Sequence, residues 1–260
     1  MWDSSGDRQR PVPAAWPYLD WPGPIAWAHR GGASEMPENT MPAFEHAIGL
    51  GYRYVETDVH VTADGVLVAF HDDDLSRTCG RPGRIRDLSW AEVGAARVDG
   101  RAPIPLLEDL LGEWPRLRVN IDCKSSAAIG ALVAALRRTG ALDRVCVAAF
   151  SDARLRRLRA RLGPSVCMAL GPAATAALKY GPIRQPSAQA AQVPVRQGRL
   201  TVTDRRFVER AHRLGIAVHV WTIDEASEMH RLLDLGVDGI MTDRPAILRD
   251  VLSERGQWFG

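Results

Sequence analysis

The chain has 260 residues, 46% of them hydrophobic and 25% charged, enough apolar material for one large domain or two small ones. A formal net charge of +2 argues against nucleic-acid binding through bulk charge, and no apolar run approaches the roughly 18 residues of a membrane span. Four cysteines, Cys79, Cys123, Cys146 and Cys167, lack C-x-x-C spacing and read as reduced core thiols, not a disulfide framework.

Residues 1–23 form a Pro- and Trp-containing arm without the apolar stretch of a signal peptide, so a cytoplasmic protein is the expectation, with peripheral attachment to a membrane as the alternative. Ile25–Ala28 reads as a strand and Thr40–Leu50 as a helix capped by Thr40 or Asn39 and stopped by Gly51. Tyr54–Val61 and Val66–Phe70 are strands joined by Asp64-Gly65, a strong hairpin signal. Helix Pro105–Trp114, strand Arg118–Asp122, helix Ser125–Thr139, strand Arg144–Ala149, helix Asp152–Leu162 and strand Val166–Leu170 follow. Within 153–163 five arginines accompany Leu155, Leu158 and Leu162 at helical spacing, the pattern of a solvated helix with its apolar stripe inward. Residues 172–200 are ambiguous, with a weak strand at Gln189–Val195. Helix Asp204–Leu214, strand Ala217–Trp221, helix Asp224–Leu235, strand Gly239–Met241 and helix Pro245–Leu252 complete the chain before a tail at 254–260.

With Val66–Phe70 set aside as a hairpin arm, eight strand–helix units remain between residues 24 and 253. That count suggests a TIM (β/α)8 barrel with a small insertion at about 72–104; a doubly wound open sheet has the same periodicity. Polar residues favour the barrel. His29 and Arg30 close the first strand, Glu56 and Asp58 the second, Asp122 and Lys124 the next, and in a barrel such ends share one rim. Asp243 also follows a strand, but it precedes Arg244-Pro245 and reads as a helix cap. Glu56 and Asp58, two apart on a strand, point to one face. A two-residue Asp64-Gly65 turn would set His71 opposite Asp58. Three acids on one rim repel unless a cation joins them, and oxygen ligation by Glu56, Asp58 and Asp122 suits Mg²⁺ or Ca²⁺ equally. Arg30 and Lys124 can share a phosphate's charge, and His29 and His71 can act as general base and acid. Asn39 either caps the helix or also touches phosphate, Glu38 lies nearby, and His60 shares the face of Asp58.

The ordered motifs HRGG (29–32), PENT (37–40), ETDVHVTADGVLVAFHD (56–72), LSRTCG (75–80), IPLLEDLL (104–111), NIDCK (120–124), AAF (148–150), HVWTID (219–224) and GVDGIMTDRP (236–245) resemble those of the glycerophosphodiester phosphodiesterase family. The resemblance spans about residues 24–253. It implies a TIM-barrel phosphoric diester hydrolase that yields glycerol 3-phosphate and an alcohol. It also implies a divalent metal on Glu56, Asp58 and Asp122 with Glu38 near the site, a His29/His71 acid/base pair, Arg30 and Lys124 on phosphate, and Trp221 on the glycerol moiety. The chain departs from the pattern at Asp122, where the family has Glu. The 72–104 insertion is expected to form part of the substrate cleft. Two rivals stand beside the glycerophosphodiesterase reading: a lysophospholipase D type, whose apolar mouth Trp2, Trp16 and Trp21 could supply, and a non-catalytic glycerophosphate-binding barrel.

Overall fold

Runs of alternating and continuous apolar residues become strands at nearly the expected positions in the computed structural model, which describes residues 16–182 and 187–260. Among these residues eight strands run parallel: Ile25–Ala28, Tyr54–Val61, Arg118–Cys123, Val145–Ala148, Cys167–Met168, Ala190–Pro194, Ala217–Trp221 and Gly239–Thr242. Seven of the eight seams are parallel ladders, and one of these pairs the first strand with the last. Across the weakest seam a bridge joins Ala169 to Ala190, with Leu170 N–H donating to the Ala190 carbonyl at 2.8 Å. The sheet therefore closes on itself as a TIM barrel, and the open-sheet alternative falls. The ambiguous segment supplies both the helix Pro172–Tyr180 and the strand Ala190–Pro194.

Side chains alternate between two cores because successive strand residues face opposite ways. Val55, Val119, Ile121 and Val147 face outward into a layer shared with helix residues such as Leu132, Leu136 and Phe207. Trp27, Tyr54, Cys146, Cys167 and Met241 fill the barrel interior. Gly239 makes room for that filling: a Cβ there would lie 2.4 Å from the Trp27 ring. A short turn, Pro17–Leu19, brings Tyr18 and Leu19 into the same interior cluster, where the Trp27 indole N–H donates to the Tyr18 hydroxyl at 2.9 Å. Tyr54 opens its strand, so this plug sits at the N-terminal end of the barrel. Trp16 and Trp21 pack there too, far from the strand ends that carry the acids. They do not supply an apolar mouth, and Trp2 lies outside the described residues.

Helix Asp152–Leu162 buries Leu155, Leu158 and Leu162, as its spacing predicts. Two of its arginines hold backbone carbonyls, Arg154 that of Cys123 and Arg159 those of Gly163 and Val166. No helix among the described residues is long and apolar enough to cross a membrane. The four cysteines are free.

The hairpin corrects one expectation. His60 pairs with Val68 and Val61 with Leu67, which puts Phe70, not His71, opposite Asp58. Thr62 N–H donates to the Val66 carbonyl at 2.9 Å, so the loop is Ala63-Asp64-Gly65, three residues instead of two. Gly65 adopts φ 88°, the left-handed residue that such a loop requires. The single added residue shifts the whole register by one.

Beyond the hairpin, residues 72–104 build a third small core around Leu75, Ile85, Val93, Val98 and Ile104. It contains the helices Ser76–Cys79 and Trp90–Gly94 and the paired strands Arg97–Val98 and Ala102–Pro103.

Candidate active site

Strand pairing brings the acids together. Asp58 stands beside Asp122, and Glu56 beside Asn120, across two parallel strands. The loop after Ile25–Ala28 adds the bases. His29–Gly31 makes one tight turn in which Arg30 holds φ 52°, a left-handed conformation uncommon for a residue with a side chain. Gly31 and Gly32 continue at φ 85° and 101°. A Cβ at Gly31 would fall 2.7 Å from Ala43, and one at Gly32 2.7 Å from the Pro245 ring. The two glycines thus let this loop press against the starts of two helices while His29 and Arg30 turn inward.

A cavity of about 550 Å³ opens at the C-terminal ends of the strands. His29, Arg30, Glu56, Asp58, His71, Asp122 and Lys124 all border it. Phe150 and Trp221 meet edge to face at its rim, ring centres 5.7 Å apart. Sequence reasoning therefore brought eight residues to one mouth. Asn39 and Glu38 stand behind the wall. The Asn39 amide donates to Asp58 Oδ2 at 3.0 Å and accepts from the Thr57 hydroxyl at 2.7 Å, while Thr40 caps the helix Met41–Gly49. Glu38 accepts from Arg30 Nη1 at 3.2 Å and from both terminal nitrogens of Arg77, at 2.9 and 2.6 Å.

Each histidine leans on a carboxylate. His29 Nδ1 lies 2.7 Å from Asp243 Oδ1, and its Nε2 is 3.7 Å from Glu56. Burial pulls its pKa down, but Glu56 and Asp243 outweigh burial and hold it above the ordinary value. Asp243 is thus a partner of His29, not the helix cap its sequence position suggests; Arg244 occupies the cap position. No local signal could have shown this, since the two residues are 214 positions apart. His71 Nδ1 lies 2.6 Å from Asp72 Oδ1, and its carbonyl contacts His60 Nε2 at 3.0 Å. Despite burial, Arg77 and His71 lower the Asp72 carboxyl to about 2. Arg77 Nε donates to Asp72 Oδ2 at 2.6 Å, so a continuous chain runs Arg30–Glu38–Arg77–Asp72–His71. This is how the insertion reaches the site. Contrary to expectation, none of residues 72–104 lines the cavity.

Charge among the acids is unevenly shared. Lys124 Nζ bridges Asp58 Oδ1 and Asp122 Oδ2 at 2.7 Å each. Burial would lower the lysine, but Asp58 and Asp122 raise it instead. Asp58 shows the complement: burial would raise its carboxyl, yet Lys124 and Arg30 hold it below the ordinary value. Glu56 has weaker support: it accepts the Arg30 backbone N–H at 3.2 Å and faces His29 Nε2 at 3.7 Å. Burial first, then the Asp58 charge, raises its carboxyl to about 7. Among the described residues no three His, Cys, Asp or Glu side chains stand in a ready-made ion-holding array. The donor chemistry nevertheless fits a hard cation. Three buried carboxylates border one cavity, Asp58 and Asp122 stand side by side on paired strands, and Asp122 Oδ1 is buried with no hydrogen-bond partner.

A barrel that gathers acids, imidazoles and cations around one cavity at its C-terminal rim is built as a hydrolytic TIM-barrel enzyme. A family model described as the glycerophosphoryl diester phosphodiesterase family matches residues 29–247. The chain belongs to that family, and is by class a phosphoric diester hydrolase. A protein of Mycobacterium tuberculosis named "Probable glycerophosphodiester phosphodiesterase 2" is 42% identical over 248 residues, covering 92% of this chain and 94% of its own. Lysophospholipase D GDPD1 of Mus musculus is 29% identical, covering 87% and 85%. Among solved structures, an Oleispira antarctica phosphodiesterase in complex with sn-glycerol-3-phosphate superposes with a TM-score of 0.76 at 24% identity, covering 89% of this chain and 97% of its own. That likeness bears on the fold.

Proposed function

We propose that the protein hydrolyses glycerophosphodiesters to sn-glycerol 3-phosphate and an alcohol, with His29 and His71 as the acid/base pair. The observation that supports this most is the doubled arrangement of imidazole on carboxylate. Asp243 and Asp72 each engage a ring Nδ1, which leaves the opposite nitrogen, Nε2, to exchange a proton with substrate. One imidazole takes the proton of the attacking hydroxyl as the new P–O bond forms. The other protonates the departing alcohol oxygen as the ester P–O bond breaks. Arg30 and Lys124, which both border the cavity, offset the phosphate's negative charge. Glu56, Asp58 and Asp122 are the residues that would hold a divalent cation, Mg²⁺ or Ca²⁺, which supplies further charge neutralisation at the phosphate oxygens. Asn39 acts through Asp58, which it holds, and Glu38 through Arg30. Trp221 borders the space for the glycerol moiety.

A second reading, cleavage of lysophospholipids, gains support from one feature. Phe150, Tyr180 and Leu200 stand exposed where the cavity opens, an apolar mouth suited to an acyl chain. One panel separates the readings: glycerophosphocholine and lysophosphatidylcholine, each assayed with Mg²⁺, Ca²⁺ and Mn²⁺ after chelation. Faster turnover of glycerophosphocholine is expected. Preference for the lysolipid would favour the second reading, and no turnover with any ion would leave a binding barrel. Hydrolysis in ¹⁸O water, with a search for cyclic glycerophosphate, separates two routes: direct attack by water, and a first attack by the substrate's own 2-hydroxyl.

A further inference from the structure

Four large apolar side chains are exposed among the described residues, and three of them share one place. Phe150 and Tyr180 are each 66% exposed and Leu200 58%, and all three border the same cavity mouth. They come from separate segments: the turn after Val145–Ala148, the end of helix Pro172–Tyr180, and the hairpin formed by Arg196–Gln197 and Leu200–Thr201. Isolated exposed apolar residues need no explanation, but a convergent group beside a cavity does.

The charge carried by the rim segments themselves is basic. Residues 148–151, 172–182 and 194–203 contain no Asp or Glu, and they carry Lys179, Arg196 and Arg199. Lys179 is held by Asp204 at 2.5 Å. Arg196 and Arg199 are exposed and make no ion pair among the described residues; the Arg196 guanidinium reaches only the Arg199 carbonyl. Aromatic and aliphatic tips flanked by unpaired arginines match a bilayer interface, where apolar groups enter the acyl boundary and arginines meet anionic headgroups. We propose that this rim docks the cavity mouth onto an anionic lipid surface. The acids lie deep in the cavity, so they do not oppose the approach.

Co-sedimentation of the full chain with vesicles tests the docking without any need for turnover. Vesicles of phosphatidylcholine alone are compared with an equal mixture of phosphatidylcholine and phosphatidylglycerol. The mixed vesicles should capture the protein and the neutral ones should capture far less. Each arginine near an anionic surface changes partitioning about fivefold, so Arg196→Gln with Arg199→Gln should weaken capture about 30-fold. Turnover of soluble glycerophosphocholine should be unchanged in that double variant. Leu200→Ser should reduce capture while the arginines remain. Failure of the mixed vesicles to capture the chain, equal capture of the arginine variant, or equal capture by neutral vesicles would overturn the proposal. Hydrolysis of micellar lysophosphatidylcholine without vesicle capture would also overturn it, and would assign the rim to a single acyl chain.

Discussion

His29 shows how one side chain is set by neighbours that sequence never brings near. Its pKa is raised because two carboxylates oppose the effect of burial. Asp243→Asn removes one of them, so the limb of the pH–rate profile that reports His29 should move to lower pH. An unmoved profile in kcat/KM would break the assignment of that limb. His29→Ala or His71→Ala should each cut turnover on the order of 10²-fold or more while the melting temperature is kept, because both rings border the open cavity. Glu56 carries a stability prediction. Its carboxyl is raised from 4.5 to about 7, so the folded state keeps a proton that the unfolded chain releases, and stability falls as pH rises through that window. In chelator, Glu56→Gln should therefore melt higher than the parent above pH 7 and about equal to it below pH 4.5. Added Mg²⁺ or Ca²⁺ should raise the parent's melting temperature above pH 7 and that of Glu56→Gln much less, as mass action on a bound ion requires. Thermal scans across pH with and without the ion check both statements.

At the scale of elements, the insertion after the hairpin serves as a clamp. It contributes no cavity lining, yet its helix Ser76–Cys79 carries Arg77, whose fork grips Glu38 and Asp72 together. That grip joins the Arg30 loop to the His71 strand end. Arg77→Ala should lower kcat about ten- to a hundredfold with a smaller change in KM, since small displacements of reacting groups are costly. Arg77→Lys should rescue only part of the loss, because an ammonium cannot reproduce the two-pronged contact with Glu38. Equal kcat in all three proteins would refute the clamp.

At the scale of the molecule, the barrel must be filled at one end before it can present a site at the other. Tyr18 does this from outside the strand series, packing against Tyr54 with ring centres 5.4 Å apart and accepting the Trp27 indole hydrogen bond. Tyr18→Ala opens a cavity in the barrel interior, and a loss of about 3–5 kcal/mol is expected, as for other buried aromatic truncations. Urea unfolding measures it. A loss under about 1 kcal/mol would mean that the barrel closes equally well without its plug.

Sequence alone determined the alternation of strand and helix, because periodicity and turn residues are local properties of the chain. It also marked His29, Arg30, Glu56, Asp58, Asp122 and Lys124, since each ends an apolar strand and all strand ends of a barrel share one rim. Tertiary structure decided the partners. Asp243 meets His29 because the first and last strands pair, Lys124 settles between two aspartates, and Asn39 turns to Asp58 instead of outward. The hairpin register, the N-terminal plug and the Arg77 bridge belong to the same class. Each depends on distances between segments far apart in the chain or on a one-residue choice of loop length, and neither is written in local composition.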